Sequence, residues 1–318
     1  MSHLVGGMAV QKIRKDGAFC YRYRLADNFL QASIKRAGMM MPILVTAGDR
    51  PTVIAGHKRL HAARALKMKT VPVFAVKAMD RRDSFLLSLA TNWKQNFPEI
   101  DRALALAMAV RELHFSEADT LRVIMPILGL PGDKDLLEFY QKIDQCPAPV
   151  KDLVADGHLP LRAMTFLLKF SKADQICFAR KICGKAKLTS SQLLQAGEWL
   201  ADLIRGTGKN LETILAENKV LEALDVRGMD PRTKADRLFA AIKRLRFPGY
   251  SQYLEAFEER RADILRDAKE LRLEPVQGFE EPGFELHARV KTTAELDRLL
   301  QRISDKRSAL NSLFEIVL

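Results

Sequence analysis

The sequence predicts a mainly helical α+β protein: a small α/β N-terminal domain, a central helical domain, and a C-terminal helical hairpin followed by a small α+β module. Residues 33–76 alternate between helical and strand patterns, residues 80–272 carry apolar side chains at helical spacing, and alternation with a period of two begins after Pro275. A chain of 318 residues exceeds the usual size of one domain. The expected domains are 1–96, 97–228 and 229–318.

The N-terminal domain is predicted to contain a helix, a hairpin, a second helix and a strand. Asp27 can cap the first helix, and Gly38 can end it in a left-handed conformation. Turn-forming residues at 48–51 join the two hairpin strands. In chain order, the elements are a helix over 27–37, strands over 42–47 and 52–55, a helix over 57–66 and a strand over 71–76.

The junction between the second strand and the next helix has the sequence Gly56-His57-Lys58-Arg59. Glycine at such a junction allows close backbone approach, and the N–H groups of the first helical turn attract anions. Lys58 and Arg59 add positive charge, so this turn is a candidate anion site. The alternative is that Gly56 only makes a turn and that the two cations are solvated.

Positive charge is concentrated in the first hundred residues. Residues 1–100 contain 17 Lys and Arg residues against 6 Asp and Glu residues, which accounts for +11 of the formal net charge of +12. Such a concentration predicts a polyanionic partner, either nucleic acid or a bound nucleotide. A generally basic surface would explain the sign of the charge, but not its localisation.

Membrane, disulfide and metal functions find little support in the sequence. No run of about 18 apolar residues is present and the N-terminus lacks a secretory core, so we expect a cytoplasmic protein. Cysteines at positions 20, 146, 177 and 183 show no C-x-x-C spacing and are expected to be reduced. His57 and His61 share a helix face, but no nearby Cys, Asp or Glu completes a metal site, so they are predicted to be surface histidines.

The central domain has the layout of a helix-turn-helix. One helix begins at a Ser116 cap and extends toward Leu128, residues 129–132 form a turn, and a second helix covers 133–143. The acidic residues of the second helix, at 133, 135 and 138, would be repelled by DNA phosphates. A helical bundle that does not read DNA therefore remains an equal alternative. The candidate DNA contacts are Lys134, Gln141 and Lys142.

The C-terminal domain is predicted to begin with a hairpin of two amphipathic helices, broken at Phe247-Pro248-Gly249. Dimerisation, recruitment of a partner and simple self-packing all fit the module that follows. Its helix is expected to carry Leu296, Leu299, Leu300 and Ile303 on one face, with Thr293 as its cap. The predicted elements are helices over 232–245 and 250–272, strands over 276–279 and 284–290, and a helix over 292–306.

Two runs resemble the N-terminal domain of the ParB partition-protein family: SIKRAGMMMPILV, at 33–45, and TVIAGHKRLHAARALKMKTVPV, at 52–73. In that family a helix ending in SIK-x-x-G leads to PI-x-V and then to a Gly-Glu-Arg-Arg turn. The run PVKDLVADGHLPLRAMTFLL, at 149–168, resembles the family's Gly-x-Leu-Ser turn before an Ala-rich helix. The resemblance implies a sulfiredoxin-like domain that binds CTP with Mg²⁺, a dimeric clamp around DNA, and a helical domain that binds the parS site.

The chain departs from the family at two glutamates. Gly56-His57-Lys58-Arg59 stands where the family has Gly-Glu-Arg-Arg, and 91–95, Thr-Asn-Trp-Lys-Gln, stands where it has Glu-Asn-x-x-Arg. Hydrolysis of a triphosphate needs Mg²⁺ held by oxygen ligands, usually carboxylates, so we expect weak or absent CTP hydrolysis and no catalytic residue. Phosphate binding could survive without the metal. The resemblance implies a nucleotide or phosphate site at Gly56, His57, Lys58, Arg59, Asn92 and Lys94.

The predicted function is a ParB-like DNA-binding protein of the chromosome or plasmid partition type, a homodimer whose ligand is CTP or another nucleotide. A ParB-fold nuclease or nucleotide-dependent kinase is an alternative, although the chain has no carboxylate between Asp49 and Asp80. Sulfiredoxin chemistry is excluded because its cysteine position is His57 here. A protein-binding adaptor that has lost specific DNA reading is the remaining alternative.

Overall fold

The computed structural model describes residues 3–14, 18–77, 79–92, 97–222, 229–266, 271–276 and 283–317. The chain divides into two compact units, Met1–Gly184 and Lys185–Leu318. The division into three domains remains a prediction. Within the described residues, no helix is both long enough and apolar enough to cross a membrane.

The first unit begins with a four-stranded sheet in the order β1-β4-β2-β3. Its strands are β1 (His3–Ala9), β2 (Ile43–Thr46), β3 (Val53–Ala55) and β4 (Thr70–Val76). β2 and β3 pair antiparallel, β2 runs parallel to β4, and β1 runs antiparallel to β4. The predicted hairpin and the strand after it are therefore confirmed, and β1 is a strand that the sequence analysis did not identify.

Two helices belong to this sheet domain, α1 (Asn28–Ala37) and α2 (His57–Ala65). The side chain of Asp27 accepts a hydrogen bond from the N–H of Leu30 and caps α1, and Gly38 ends the helix with φ 75°. The Asp27 cap and the position of the C-terminal end are confirmed, whereas ψ 178° places Gly38 outside the left-handed helical conformation that the sequence predicts. α2 buries Leu60 and Ala63 in the same apolar cluster as the strand side chains, and this burial fixes the rotation of α2 about its axis.

The rest of the first unit is helical, as predicted. Its helices are α3 (Arg81–Ala90), α4 (Glu99–Ala107), α5 (Glu117–Asp119), α6 (Met125–Ile127), α7 (Lys134–Asp144), α8 (Ala148–Ala155), α9 (Met164–Leu167) and α10 (Lys172–Cys177). π-helical segments follow α4, α5 and α10, at Met108–Glu112, Thr120–Ile124 and Phe178–Cys183. The segment at Thr120–Ile124 joins α5 to α6, so that residues 117–127 form one helical stretch.

A tight turn connects this stretch to α7. Ser116 caps the stretch through the N–H of Asp119, and Asp133 caps α7 through the N–H of Leu136. A Cβ atom added to Gly132 would lie well inside van der Waals contact with the carbonyl oxygen of Leu121, so this position requires glycine. The two helices and the turn are confirmed in position, whereas their use as a DNA-binding motif remains a prediction.

The second unit combines helices with a two-stranded antiparallel sheet. Phe247 separates α13 from α14, as the predicted break requires, and α16 is an additional helix. The elements are α11 (Ser190–Thr207), α12 (Leu211–Glu217), α13 (Pro231–Arg246), α14 (Pro248–Leu265), β5 (Leu271–Pro275), β6 (Phe284–Ala288), α15 (Thr293–Asp305) and α16 (Arg307–Val317).

The prediction of one helix over 250–272 was wrong at its C-terminal end. α14 ends at Leu265, and Leu271 begins β5. Burial alternates along β5, with Leu271 and Leu273 buried and Arg272 exposed, which is the period of a strand. The first strand of the module was therefore predicted too late, at 276–279, of which residues 277–279 lie outside the described residues.

Two further details of α15 differ from the prediction. Its cap is Thr292, whose side chain accepts a hydrogen bond from the N–H of Glu295, and not Thr293. Leu299 is buried, but Leu296 and Leu300 are 40% and 56% exposed. The buried face of this helix is narrower than the sequence pattern indicates, because only Leu299 and Ile303 of the four predicted residues pack in an apolar cluster.

We predict that Gly132→Ala destabilises the protein, because the added methyl group meets the carbonyl of Leu121. Overpacking of this kind costs about 1–3 kcal/mol, so thermal unfolding followed by circular dichroism should show a melting temperature lower by several degrees. Gly206→Ala is the matched control: Gly206 lies in α11 with open space around it, and alanine there should stabilise by about 0.5–1 kcal/mol. Equal melting temperatures for Gly132→Ala and the wild type would contradict the steric argument.

Candidate anion-binding site

A cavity of about 440 Å³ opens beside the N-terminus of α2. Its walls come from α1, the segment after α1, the start of α2, α3 and residues 21–22. Among the described residues, the charged side chains that line it are Arg22, Lys58 and Arg59, and no Asp or Glu residue does so. The site is therefore cationic, as the sequence predicts for the Gly56–Arg59 turn, and one of its cations was not anticipated.

Gly56 makes the turn from β3 into α2. It adopts φ 102° and ψ 23°, a left-handed conformation that favours glycine, and it is the N-cap of α2. A Cβ atom at Gly56 would also lie 3.3 Å from the Nη2 atom of Arg59. The glycine thus serves two purposes, because it allows the backbone conformation and it leaves room for a guanidinium. Its position brings the first turn of α2, whose N–H groups favour anions, to the cavity.

The guanidinium of Arg59 is held by backbone carbonyl groups. Its Nη1 atom donates hydrogen bonds to the carbonyl oxygens of Met41, at 2.9 Å, and of Pro42. Burial lowers the pKa of Arg59 from its ordinary value, although an arginine keeps its charge at any physiological pH. Arg59 therefore connects the segment after α1 to α2, and the donors that remain are those on its other nitrogen atoms.

Lys58 makes a weaker contact. Its Nζ atom lies 3.5 Å from the Oδ2 atom of Asp27, and the two side chains are 40% and 32% exposed. The hydrogen bond from the N–H of Leu30 is the main cause that lowers the pKa of Asp27, and Lys58 lowers it further. Exposed pairs of this kind contribute about 0–1 kcal/mol. An incoming anion can therefore take Lys58 from Asp27 at little energetic cost.

Asn92 lies at the cavity, but its side chain is fully bonded to the protein. Its Nδ2 atom donates to the Oη atom of Tyr21, at 3.1 Å, and to the carbonyl oxygen of Ser88, at 2.8 Å, and its Oδ1 atom accepts from Arg22 at 3.0 Å. Burial raises the pKa of Tyr21, whose hydroxyl group donates to the carbonyl of Ser88. Asn92 thus positions other residues that line the cavity.

Arg22 is the cation that sequence reasoning missed. Its Nη1 atom bonds to the Oδ2 atom of Asp101 at 2.9 Å, and the two side chains are only 13% and 7% exposed. The guanidinium also lies 5.3 Å from the ring centre of Tyr21 and 5.5 Å from that of Phe97. No local pattern in the sequence identifies this role, because the partner Asp101 lies 79 residues away along the chain.

The other predicted residues behave differently. His57 lines the cavity and its Nε2 atom is buried. Lys94 lies outside the described residues. Within the part of the chain that the structure describes, no group of three or more His, Cys, Asp or Glu side chains is arranged to hold a metal ion. Gly56, His57, Lys58, Arg59 and Asn92 thus line one cavity, and their role in binding a nucleotide or phosphate remains a prediction.

The candidate DNA contacts lie on α7. Lys134 and Lys142 are exposed and Gln141 is half-buried. The Nζ atom of Lys134 lies 3.3 Å from the Oε2 atom of Glu117 in an exposed ion pair. The acidic residue Asp133 has a structural task, since its carboxylate caps α7 through the N–H of Leu136 at 2.7 Å.

Solved ParB structures show only a loose overall similarity. The C-terminally truncated chromosome-partitioning protein ParB from Caulobacter crescentus, complexed to the centromeric parS site, is 15% identical and covers 61% of this chain and 99% of that chain, with a TM-score of 0.36. The same truncated protein complexed with CTP-gamma-S is 16% identical and covers 57% and 98%, with a TM-score of 0.26.

Two curated relatives are similar in sequence. A probable chromosome-partitioning protein ParB from Borreliella burgdorferi is 26% identical over 91 residues, which is 28% of this chain and 35% of the relative. The chromosome-partitioning protein ParB from Myxococcus xanthus is 26% identical over 182 residues, which is 57% of this chain and 58% of the relative. The matches therefore span about a third and somewhat over half of the length of these relatives.

The family model of the ParB N-terminal domain matches residues 26–93. This range contains α1, the hairpin, the Gly56–Arg59 turn, β4 and α3. It therefore covers most of the residues that form the cationic cavity. Together with the two curated relatives, the match shows that this chain carries an N-terminal domain similar to that of ParB.

Proposed function

We propose that this protein is a DNA-binding protein of the partition type whose N-terminal cavity binds CTP or another nucleotide through its phosphates. The observation that carries the proposal is the cavity itself. Arg22, Lys58 and Arg59 line it, none of the carboxylates in the described part of the chain does, and the N-terminus of α2 opens into it. The volume of about 440 Å³ is within the range of small-molecule sites. The apolar side chains of Leu30, Ile34 and the three methionines at 39–41 form a second wall that suits a base or sugar.

Hydrolysis of the bound nucleotide is proposed to be weak or absent. Triphosphate hydrolysis needs an oxygen-ligated Mg²⁺ and a group that orients water. The two carboxylates that contact the cations of the cavity, Asp27 and Asp101, are each bonded to a cation already. Thr91 stands at a position where the family has a glutamate, and its hydroxyl group donates to the carbonyl of Ser88 at 2.9 Å. Phosphate binding without Mg²⁺ is the chemistry that these residues support.

DNA contact is proposed for α7, with Lys134, Gln141 and Lys142 as the contacting residues. Repulsion between Asp133 and DNA phosphates is a weaker objection to this assignment than the sequence indicates, because the carboxylate of Asp133 is directed to the backbone of α7. We further infer a homodimer in the cytoplasm at a chromosome or plasmid. Asp135 and Glu138 remain exposed on the same helix, and this observation favours a second candidate function, that of an adaptor for a basic partner protein.

Lys58→Glu should weaken CTP binding at least about tenfold, because the change replaces a charge-assisted contact to phosphate with repulsion. Isothermal titration calorimetry with CTP, with and without Mg²⁺, measures this. Lys35→Glu is the matched control: Lys35 is exposed on α1, outside the cavity lining, and the net charge changes equally. Arg59→Glu is a poorer test because Arg59 also holds the carbonyls of Met41 and Pro42.

Absence of heat for every nucleoside triphosphate would overturn the nucleotide proposal, and equal affinities for Lys58→Glu and Lys35→Glu would place the ligand elsewhere. In the same samples, CTP with Mg²⁺ should release phosphate no faster than buffer alone. Rapid release would contradict the proposed loss of hydrolysis.

Replacing Lys134 and Lys142 together by alanine should lower the affinity for a duplex carrying the family's parS site by about tenfold or more, since base and phosphate contacts are each lost. Fluorescence anisotropy with this duplex and a scrambled duplex of equal length measures both affinity and preference. The control variant is Lys35→Ala with Lys169→Ala, which removes the same charge from exposed positions outside α7. Binding that is unaltered in the α7 variant would reject this helix, and a wild-type protein that does not bind parS would favour the adaptor.

A further inference from the structure

We propose a second anion-binding surface on the first unit, which holds the phosphate backbone of double-stranded DNA without reading its sequence. The surface, called the basic face below, consists of Lys12, Arg14, Arg50, Lys67 and Lys69. It lies beyond the C-terminus of α2, whereas the cavity lies at the N-terminus of the same helix. The proposal rests on the proposed DNA-binding function and assigns to this surface the contacts that do not depend on sequence.

Backbone hydrogen bonds bring three separate segments together at the basic face. The N–H of Arg14 donates to the carbonyl oxygen of Pro51 at 3.0 Å, and the N–H of Val10 donates to that of Lys69 at 3.1 Å. Residues 10–14 therefore lie between the hairpin turn and the segment after α2. Arg64 holds this arrangement, since its Nη2 atom donates to the carbonyl oxygen of Ile13 at 3.2 Å.

The cations of the basic face point to solvent because their neighbours point inward. Lys12-Ile13-Arg14 and Lys67-Met68-Lys69 both have the pattern cation, apolar, cation. Ile13 is 2% exposed, and Met68 packs against the same apolar cluster. The four flanking cations are exposed, as is Arg50, which precedes the buried Pro51. One apolar cluster thus holds both three-residue segments in place, and their cations lie at the protein surface.

The charge balance at this surface is strongly positive. Segments 8–14, 48–52 and 64–70 contain six Lys and Arg residues and one acidic residue, Asp49. The dipole of α2 favours cations near its C-terminus, which explains Arg64 and Lys67. The other three cations, Lys12, Arg14 and Arg50, have no such explanation. Much of the N-terminal charge excess is therefore displayed at the basic face.

Duplex DNA is the polyanion that this surface fits best. DNA presents a dense and regular row of phosphates, and cations from three segments of one domain can contact several of them together. A membrane surface usually requires apolar side chains beside the cations. Among the described residues of the first unit, the exposed large apolar side chains are at 29, 40, 41, 79 and 123, and none belongs to the three segments of the basic face.

The test replaces Lys12, Lys67 and Lys69 by glutamine in the full chain and measures binding to a random-sequence duplex by anisotropy over a series of salt concentrations, without nucleotide. Each lost phosphate contact lowers the slope of log affinity against log salt by about 0.9. The triple variant should therefore lose about 2 to 3 units of slope. The matched control, Lys35→Gln with Arg36→Gln and Lys77→Gln, removes the same charge from other exposed positions of the unit and should keep most of the slope.

A salt-dependence slope in the triple variant equal to that of the control variant would overturn the proposal. The proposal would also be overturned if the triple variant lost binding to phosphatidylserine vesicles but bound DNA as the wild type does. Replacement of the same three lysines by arginine keeps the charge and should keep the wild-type slope; failure of this variant to do so would also contradict the proposal. If the α7 variant loses parS preference while its slope on random DNA persists, both assignments stand. If the wild type binds no DNA at low salt, the proposed function fails together with this surface.

Discussion

The packing of the Arg59 guanidinium against Gly56 is the interaction on which the N-terminal domain depends. The left-handed conformation of Gly56 turns the chain from β3 into α2, and the missing side chain leaves room for the guanidinium of a residue one turn later. Arg59 then holds the carbonyl groups of Met41 and Pro42, between α1 and β2. A single turn thus joins three parts of the domain and forms one wall of the cavity. Any larger residue at Gly56 would disturb both the backbone and this link.

The charges of the first unit perform different tasks although they have one sign. Arg22 is neutralised by the buried Asp101, Arg59 supports carbonyl groups, and Lys58 makes only an exposed pair. A phosphate can therefore recruit Lys58 most easily, while Arg59 supplies a fixed positive charge. The basic face is a separate surface, because α2 places it at the opposite end of the helix. Net charge alone does not separate these roles, whereas the hydrogen-bond partners do.

Local patterns in the sequence predicted the elements around the cavity well. Asp27, Gly38 and Gly56 act through their own backbone neighbourhood, so their effects can be recognised from a few adjacent residues. Arg22 could not be found in this way, because its partner Asp101 is 79 residues away. The end of α14 was misjudged since Leu271 fits both a helical seam and a strand, and only pairing with β6 decides between them. Long-range contacts thus account for what the sequence analysis missed.

The central claim is that the first turn of α2 binds the phosphates of a nucleotide. Residue-resolved hydrogen exchange by NMR, with and without CTP, tests it most directly. The N–H groups of Lys58 and Arg59 belong to the first turn, which lacks intrahelical acceptors, and should exchange rapidly in the free protein. The N–H of Leu60 is bonded to the carbonyl of Gly56 at 3.0 Å and serves as an internal reference. The account predicts that CTP slows exchange at Lys58 and Arg59 and leaves Leu60 nearly unchanged. Unchanged exchange at both residues under saturating CTP would contradict it.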